Sequence, residues 1–218
     1  MAHIIIDMTE TSDCTHMIKN LIFDFGKVLV DYDFFHSIRR YFKSEEDLQE
    51  FATLFTSLDF LNRCDREDIP FYDLILESQQ KYPKFEYQLQ KFYEEYVQFV
   101  TGEIPGMKDL LIKLRQEGFR LYGLTNWCSK VHEVMQHWEI LRMLDGVVIS
   151  SDEKLIKPDA AIYLRLCEKY GLNAEECLFT DDRQTNVEGA QKVGMQGIVF
   201  ENAEQFEHDL REILSSHK

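Results

Sequence analysis

Short apolar runs alternate with longer amphipathic segments from residue 102 onward, and this alternation limits the possible folds more than any other feature. Each run is rich in aliphatic and aromatic residues, as is typical of a buried strand in a parallel sheet. An earlier run, at residues 21–25, is also rich in aliphatic and aromatic residues. The predicted strands are LIFDF (21–25), FRLYGLTN (119–126), GVVISS (146–151), ECLFTDD (176–182) and QGIVF (196–200).

The segments between these strands have the apolar spacing of helices. Pro105 lies near the start of the first helix and Gly118 at its end, while Gly171 ends a later one. Strands that alternate with such helices form βαβ units, so we predict an α/β fold with a Rossmann-like parallel sheet and helices on both faces. The predicted helices are PGMKDLLIKLRQEG (105–118), SKVHEVMQHWEIL (129–141), PDAAIYLRLCEKYG (158–171), TNVEGAQKVG (185–194) and AEQFEHDLREIL (203–214).

Residues 32–101 interrupt this alternation, because they show helical spacing, many Phe and Tyr residues and no convincing strand. Ser44, which three acidic residues follow, is a plausible helix start. We predict a helical cap at 32–101, with an aromatic core of its own, on a core domain formed by 17–31 and 102–218. The helical segments are FFHSIRRYF (34–42), SEEDLQEFATLFTSLDFL (44–61), IPFYDLILESQQKY (69–82) and FEYQLQKFYEEYVQFV (85–100).

Composition narrows the class of partner and the compartment. The net charge of −15 at pH 7 argues against binding to nucleic acid or to an anionic membrane surface. The five cysteines form no C-x-x-C pair, which favours reduced thiols and a cytoplasmic location. Residues 1–16 do not have the pattern of a secretory signal, so we expect a dispensable N-terminal extension before Met17.

Polar residues stand at the ends of the predicted strands and in the loops that follow them. In open parallel sheets, ligands bind outside the carboxyl ends of the strands. A single Asp or Asn there would only indicate a turn, but carboxylates and a lysine at four strand ends indicate a site. These residues are Asp24, Thr125, Asn126, Lys157, Asp181 and Asp182.

The chemistry of these residues suits phosphoryl transfer, in which catalysis is mainly positioning and charge neutralisation. Asp24 can attack phosphorus and form an aspartyl-phosphate. Mg²⁺ prefers oxygen ligands, and Asp24, the Gly26 carbonyl and Asp182 would supply them. Asp181 would be a further ligand or would hold bound water. We therefore expect Mg²⁺ as the cofactor.

The remaining polar residues would bind the phosphate. The Thr125 hydroxyl and the N–H of Asn126, which we place at a helix start, can donate hydrogen bonds to phosphate oxygens. Lys157 can neutralise both Asp24 and the phosphate, and so offset the negative charge of the chain. We expect the substrate to be a small phosphorylated metabolite, with sugar phosphates among the candidates, and the protein to be a monomer or weak homodimer.

At these motifs the chain resembles the haloacid dehalogenase-like hydrolases over about residues 18–200. The resemblance implies a five-stranded core sheet, an Asp24 nucleophile and Mg²⁺ dependence. It points to subfamily I with a C1-type helical cap, and there to the subgroup that contains the bacterial glucose-1-phosphate phosphatases. By this resemblance, Asn186 would help to orient the loop of the DDRQTN motif. The four motifs, in the family's order and spacing, are IFDFGKVL, LYGLTN, KLIKPDAAIY and LFTDDRQTNVEGAQKVG.

Gly26 departs from the family pattern, because typical phosphatases of the family carry there a second Asp that protonates the leaving group. Asp31, Asp33 or the substrate could supply that proton instead. Otherwise the enzyme would favour aryl, acyl or anomeric phosphates, whose leaving group departs readily, over simple alkyl phosphates. Alternatively, the chain would be a weak or inactive module that binds phosphate or metal. A 2-haloacid dehalogenase is less favoured, because Asp181 and Asp182 indicate a metal.

Overall fold

A computed structural model describes residues 17–216, so the predicted extension at 1–16 lies outside the described residues. Seven strands are present in this range: β1 (Asn20–Phe23), β2 (Val30–Tyr32), β3 (Val100–Glu103), β4 (Arg120–Thr125), β5 (Gly146–Ile149), β6 (Cys177–Asp181) and β7 (Gln196–Val199). Five of them form one parallel sheet in the order β5-β4-β1-β6-β7. The predicted α/β fold with a parallel sheet is confirmed.

Strand β1 lies at the centre of the sheet, and its sequence explains why. Leu21 and Phe23 belong to the hydrophobic cluster on one face of the sheet, and Ile22 belongs to the cluster on the other. Successive side chains of a strand point to opposite faces, so a strand covered on both sides needs a continuous apolar run. The site therefore begins where this run ends, at Asp24.

Helices cover both faces of the sheet. Residues of α5 (Met107–Gln116) and α11 (Ala203–Ser216) pack on one face, and those of α9 (Ala160–Tyr170) and α10 (Gln184–Gln191) pack on the other. The predicted helix at 129–141 is wrong in one detail, because it breaks at Trp138, whose extended backbone lets its ring pack against the core. The helices that follow the third strand are α5 (Met107–Gln116), α6 (Val131–His137), α7 (Glu139–Arg142), α8 (Ser150–Glu153), α9 (Ala160–Tyr170), α10 (Gln184–Gln191) and α11 (Ala203–Ser216).

Four helices, here called the inserted helices, lie between β2 and β3: α1 (Glu45–Phe55), α2 (Leu58–Arg66), α3 (Phe71–Lys81) and α4 (Glu86–Glu94). Ser44 caps α1 as predicted, since its side chain accepts a hydrogen bond from the Asp47 N–H at 3.1 Å. Phe51 packs against Phe55 and Phe85, with ring centroids 4.4 and 5.5 Å away. Tilted and edge-to-face aromatic contacts of this kind form the core of the insert.

The ends of the insert differ from the sequence prediction. The segment at 34–42 contains only a short 3-10 turn at Ile38–Tyr41, and the segment at 85–100 leaves the α-helix at Glu94. Val100 then begins β3, which pairs antiparallel with β2. This two-stranded ladder holds the two ends of the insert together beside the end of β1.

No helix within residues 17–216 is both long and apolar enough to cross a membrane.

Candidate active site

Three carboxylates converge where the central strands end. Strands β1 and β6 pair in register through Phe23 and Thr180, and the Asp24 N–H donates to the Thr180 carbonyl at 3.0 Å. The pairing therefore places Asp24, which follows β1, beside Asp181, which ends β6. One carboxylate oxygen from each of Asp24, Asp181 and Asp182 lies within 4.8 Å of the other two.

Lys157 is buried between two of these carboxylates. Its Nζ lies 2.9 Å from Asp24 Oδ1 and 2.7 Å from Asp181 Oδ2, and it donates to the Leu124 carbonyl at 3.1 Å. Burial lowers the pKa of Lys157, but the carboxylates of Asp181 and Asp24 outweigh it and raise this pKa above its ordinary value. The lysine is thus a fixed cation next to the predicted nucleophile.

The two neighbouring aspartates at the end of β6 have different surroundings. Asp181 is fully buried and accepts hydrogen bonds from Asn186 Nδ2 at 2.9 and 3.0 Å and from the Arg183 N–H at 2.9 Å. Burial acts to raise the pKa of Asp181, but Lys157 and these donors hold it below its ordinary value. The Asp182 carboxylate is exposed and bonds to no other residue in the described range. Asp182 is therefore free to bind a ligand.

Asp24 also keeps one oxygen free. Its Oδ1 accepts from the Phe25 N–H at 2.7 Å and faces Lys157, while Oδ2 accepts no hydrogen bond from residues 17–216. Burial and the neighbouring Asp181 raise the pKa of Asp24 to about 7, although Lys157 opposes this shift. A divalent cation between Asp24 and Asp182 would offset the excess negative charge, and these oxygen donors fit Mg²⁺.

Thr125, which ends β4, and Asn126, which follows it, are the two residues that we predict to bind phosphate. The Asn126 side chain accepts from the Lys157 N–H at 2.8 Å and donates to the Lys157 carbonyl at 3.1 Å, so it positions the lysine. Helix α6 begins only at Val131, so the predicted helix start at Asn126 is wrong. Thr125 is almost fully buried and does not line the cavity described next. Its contact with phosphate stays a prediction.

A cavity opens above the carboxylates, with an empty volume of about 620 Å³ that includes its mouth. The sheet side supplies Asp24, Lys157 and Asp182. The rest of the lining comes from β2, the insert and two core loops, and sequence reasoning did not place most of these residues at the site. These residues are Tyr32, Phe34, Leu61, Asp65, Tyr96, Trp127 and Arg183.

A family model described as haloacid dehalogenase-like hydrolase matches residues 21–200. The chain belongs to this family. The match spans all four motifs and the inserted helices, and it agrees with the parallel sheet and with the position of Asp24 after β1.

Two curated relatives and one solved structure illustrate the likeness. Flavin mononucleotide hydrolase 1 of Arabidopsis thaliana is 31% identical over 50% of this chain and 45% of its own. The glyceraldehyde 3-phosphate phosphatase of Pyrococcus abyssi is 33% identical over 45% of this chain and 42% of its own. The alignments thus span less than half of either relative. A haloacid dehalogenase family enzyme of Bacteroides thetaiotaomicron, solved with magnesium and inorganic phosphate, has a TM-score of 0.69 at 20% identity and covers 88% of this chain and 98% of its own.

Gly26 departs from the haloacid dehalogenase-like pattern for a steric reason. A Cβ at Gly26 would lie 2.7 Å from Cε1 of Tyr32, a distance that real Cβ atoms do not show. The Tyr32 ring is itself held by Phe34 and Trp127, with centroids 4.9 and 6.1 Å away. Gly26 does not have a positive φ. Tyr32 therefore occupies the space that the family's second aspartate would need.

We expect Gly26→Ala to cost about 1–3 kcal/mol of stability, because overpacking displaces the Tyr32 ring. At this chain length that corresponds to a fall in Tm of roughly 2–12 °C. Gly102→Ala is the matched control, since a Cβ there meets nothing within 4 Å. In a Tyr32→Ala background the cost of Gly26→Ala should vanish, and a cost that persists would contradict the steric explanation.

Asp31 and Asp33, the two acids considered as proton donors, do not line the cavity. The Asp31 carboxylate pairs with Lys27 and accepts from the Tyr32 N–H, and the bond from Lys27 lowers its pKa. Asp33 is exposed and accepts from the Phe35 N–H at 2.8 Å. Neither is placed to protonate a leaving group at Asp24.

A buried contact joins α2 to the core beside the cavity. Glu67, which ends α2, accepts hydrogen bonds from the N–H and Oγ of Ser129 at 2.6 and 2.8 Å. Its carboxylate also accepts from the Phe71 N–H at 3.0 Å, and Lys154 donates to its carbonyl. We call this the Glu67–Ser129 contact. It fixes the end of α2 over the site.

We expect Glu67→Gln to weaken this contact, because an amide cannot accept all three hydrogen bonds with its single oxygen. The cost should be about 1.5–3 kcal/mol, as for hydrogen bonds to a charged group. Glu77→Gln, which removes only an exposed pair with Arg63, should cost less than about 1 kcal/mol. Thermal unfolding and amide exchange of α2 would measure the difference. Equal losses of stability in the two variants would contradict the assigned role of Glu67.

Proposed function

We propose that this chain is a Mg²⁺-dependent phosphomonoester hydrolase that forms an aspartyl-phosphate on Asp24. The observation that carries the proposal is the buried arrangement of Asp24, Lys157 and Asp181, with the unbonded carboxylate of Asp182 beside it. Such a set of oxygens with one fixed cation matches the needs of phosphoryl transfer, which are positioning and charge neutralisation.

Asp24 would be the nucleophile. The Phe25 N–H and Lys157 orient its Oδ1, which leaves Oδ2 free to attack phosphorus. Lys157 would neutralise a phosphate oxygen as well as Asp24. Asp181 would keep the lysine in place, and Asn186 and Asn126 would in turn hold Asp181 and the Lys157 loop.

Asp24, Asp182 and the Gly26 carbonyl would hold Mg²⁺, and Asp181 would contribute through bound water. When bound, the ion would neutralise the charge that develops on the phosphoryl oxygens. The structural neighbour from Bacteroides thetaiotaomicron, which holds magnesium and inorganic phosphate, supports this choice of metal.

The cavity and the relatives support a proposal for the substrate class. Aromatic and polar side chains together line the cavity, which suits a small organic group attached to the phosphate. The relatives named after flavin mononucleotide and glyceraldehyde 3-phosphate support a phosphorylated metabolite. We further propose that the inserted helices act as the cap, that 17–31 and 102–218 form the core domain, and that the protein is a cytoplasmic monomer or weak homodimer.

A catalytically weak module that binds phosphate or metal is the second candidate, and the observation that favours it is Gly26, where the acid–base residue is absent. Haloacid dehalogenase activity is less favoured, because it has no use for the unbonded carboxylate of Asp182 beside Asp24.

A phosphatase screen over sugar phosphates, nucleotides and acyl phosphates, with Mg²⁺ and with EDTA, separates these functions. We expect turnover that requires Mg²⁺, and we expect Asp182→Ala to lower this turnover. Binding of inorganic phosphate without turnover of any ester would instead support the non-catalytic module. Release of halide from 2-chloropropionate in EDTA would support the dehalogenase.

A further inference from the structure

The proposed reaction needs a proton donor that the family position does not supply. When Asp24 attacks phosphorus, the electron pair of the breaking P–O bond moves to the leaving oxygen, and a poor leaving group needs a proton there. Gly26 carries no side chain, and Asp31 and Asp33 are absent from the cavity lining. A donor that the protein itself supplies would therefore be another residue of the cavity lining.

We propose that Asp65, on α2, is the general acid and base of this site, an inference that rests on the proposed function. Asp65 lines the same cavity as Asp24, Lys157 and Asp182, but it approaches from the inserted helices instead of the sheet. No group within residues 17–216 donates a hydrogen bond to its carboxyl group. The carboxyl group is therefore free to bond to a substrate oxygen.

The backbone around Asp65 is held in place by the core. The Ser150 hydroxyl donates to the Asp65 carbonyl, and Ser150 Oγ accepts from the Trp127 N–H at 2.9 Å. Two residues further on, the Glu67–Ser129 contact fixes the end of α2. A donor on this segment therefore has a defined position relative to Asp24, as general acid catalysis requires.

Burial also gives Asp65 a suitable charge state. It raises the pKa of Asp65 to about 7, while the cations of Lys157 and Arg183 oppose the shift. The side chain is thus protonated in a large fraction of molecules at neutral pH. Three further titratable groups interact electrostatically with Asp65, and their raised pKa values keep them neutral at this pH: Tyr32, Tyr96 and Cys64.

The two chemical steps balance with this assignment. In the first, Asp24 forms a bond to phosphorus, the ester P–O bond breaks, and Asp65 gives its proton to the leaving oxygen, which departs as an alcohol. In the second, water attacks phosphorus, Asp65 accepts a proton from that water, and the bond to Asp24 breaks. Inorganic phosphate, the Asp24 carboxylate and protonated Asp65 result.

The first test compares leaving groups. Asp65→Asn should lower kcat/KM for an alkyl phosphate by about 10²–10⁴-fold and for p-nitrophenyl phosphate much less, because nitrophenolate departs without a proton. Asp68→Asn is the matched control, since Asp68 is an exposed acid on the same segment that does not line the cavity. It should leave both values unchanged.

The second test needs only the wild-type protein. The ratio of kcat/KM for the alkyl phosphate to that for p-nitrophenyl phosphate should fall as pH rises through about 7, because the acid form of Asp65 is lost. Titration of the other site residues, including Asp24, acts on both substrates and cancels in this ratio. In Asp65→Asn the ratio should not change with pH.

The outcomes separate this inference from the proposed function. Suppose that the wild type turns over both esters with Mg²⁺. If Asp65→Asn then lowers kcat/KM for both esters by the same factor, or if the ratio of the two values still falls with pH in this variant, Asp65 is not the proton donor. If the wild type turns over neither ester, the proposed function itself is overturned, and the role of Asp65 with it.

Discussion

Replacing Asp24 by asparagine is expected to lower kcat by at least about 10³-fold, because an amide cannot attack phosphorus and form the phosphoenzyme. The shape is retained, so the amide oxygen of the new side chain can still accept from the Phe25 N–H and from Lys157. The substitution also removes one of two adjacent buried carboxylates. Stability in EDTA should therefore not decrease, and thermal unfolding together with the kinetics would show both effects.

Asp33→Asn is the control for this variant, since Asp33 is an exposed acid that follows β2 and does not line the cavity. We expect its kcat/KM to stay near that of the wild type. Mass spectrometry of the acid-quenched wild type should find a phosphorylated peptide that contains Asp24. Substantial turnover by Asp24→Asn, or a phosphorylated peptide elsewhere, would assign the nucleophile to another residue.

Lys157→Met is expected to damage both stability and turnover. The methionine keeps the length of the side chain but leaves the buried Asp24 and Asp181 without their cation. Removing one partner from a buried ion pair costs about 3–5 kcal/mol. For a chain of this size the Tm should fall by roughly 6–20 °C. Turnover should fall as well, because the phosphate loses its fixed cation.

Lys157→Arg is the matched variant. It keeps the charge but has a planar fork in place of a compact ammonium group, so it should retain more of the stability than the activity. Unfolding by urea and kcat/KM for p-nitrophenyl phosphate, measured on both variants, would show this separation. An unchanged kcat/KM in Lys157→Met would remove Lys157 from the site.

Most strands and helices of the core sheet and its flanking layers were predictable, because the sequence patterns that mark them are local. A strand covered on both faces must be apolar throughout, so LIFDF and its counterparts stand out in the sequence. Gly171 ends α9 with a φ of 62°, which glycine adopts without strain. The insert was less predictable at its ends, because β3 exists only through its pairing with β2.

The sequence by itself determined the fold class, the family and the grouping of Asp24, Lys157, Asp181 and Asp182, because parallel strands bring their carboxyl ends to one edge. Only the tertiary structure decided the rest of the cavity lining. Which residues of α2 line the cavity with Asp24 depends on how the inserted helices pack on the core, and no local pattern records it. Tyr32 is close to Gly26 in the sequence, but its ring explains the glycine only in three dimensions, because a backbone bridge between Gly26 and Val30 folds this segment back on itself.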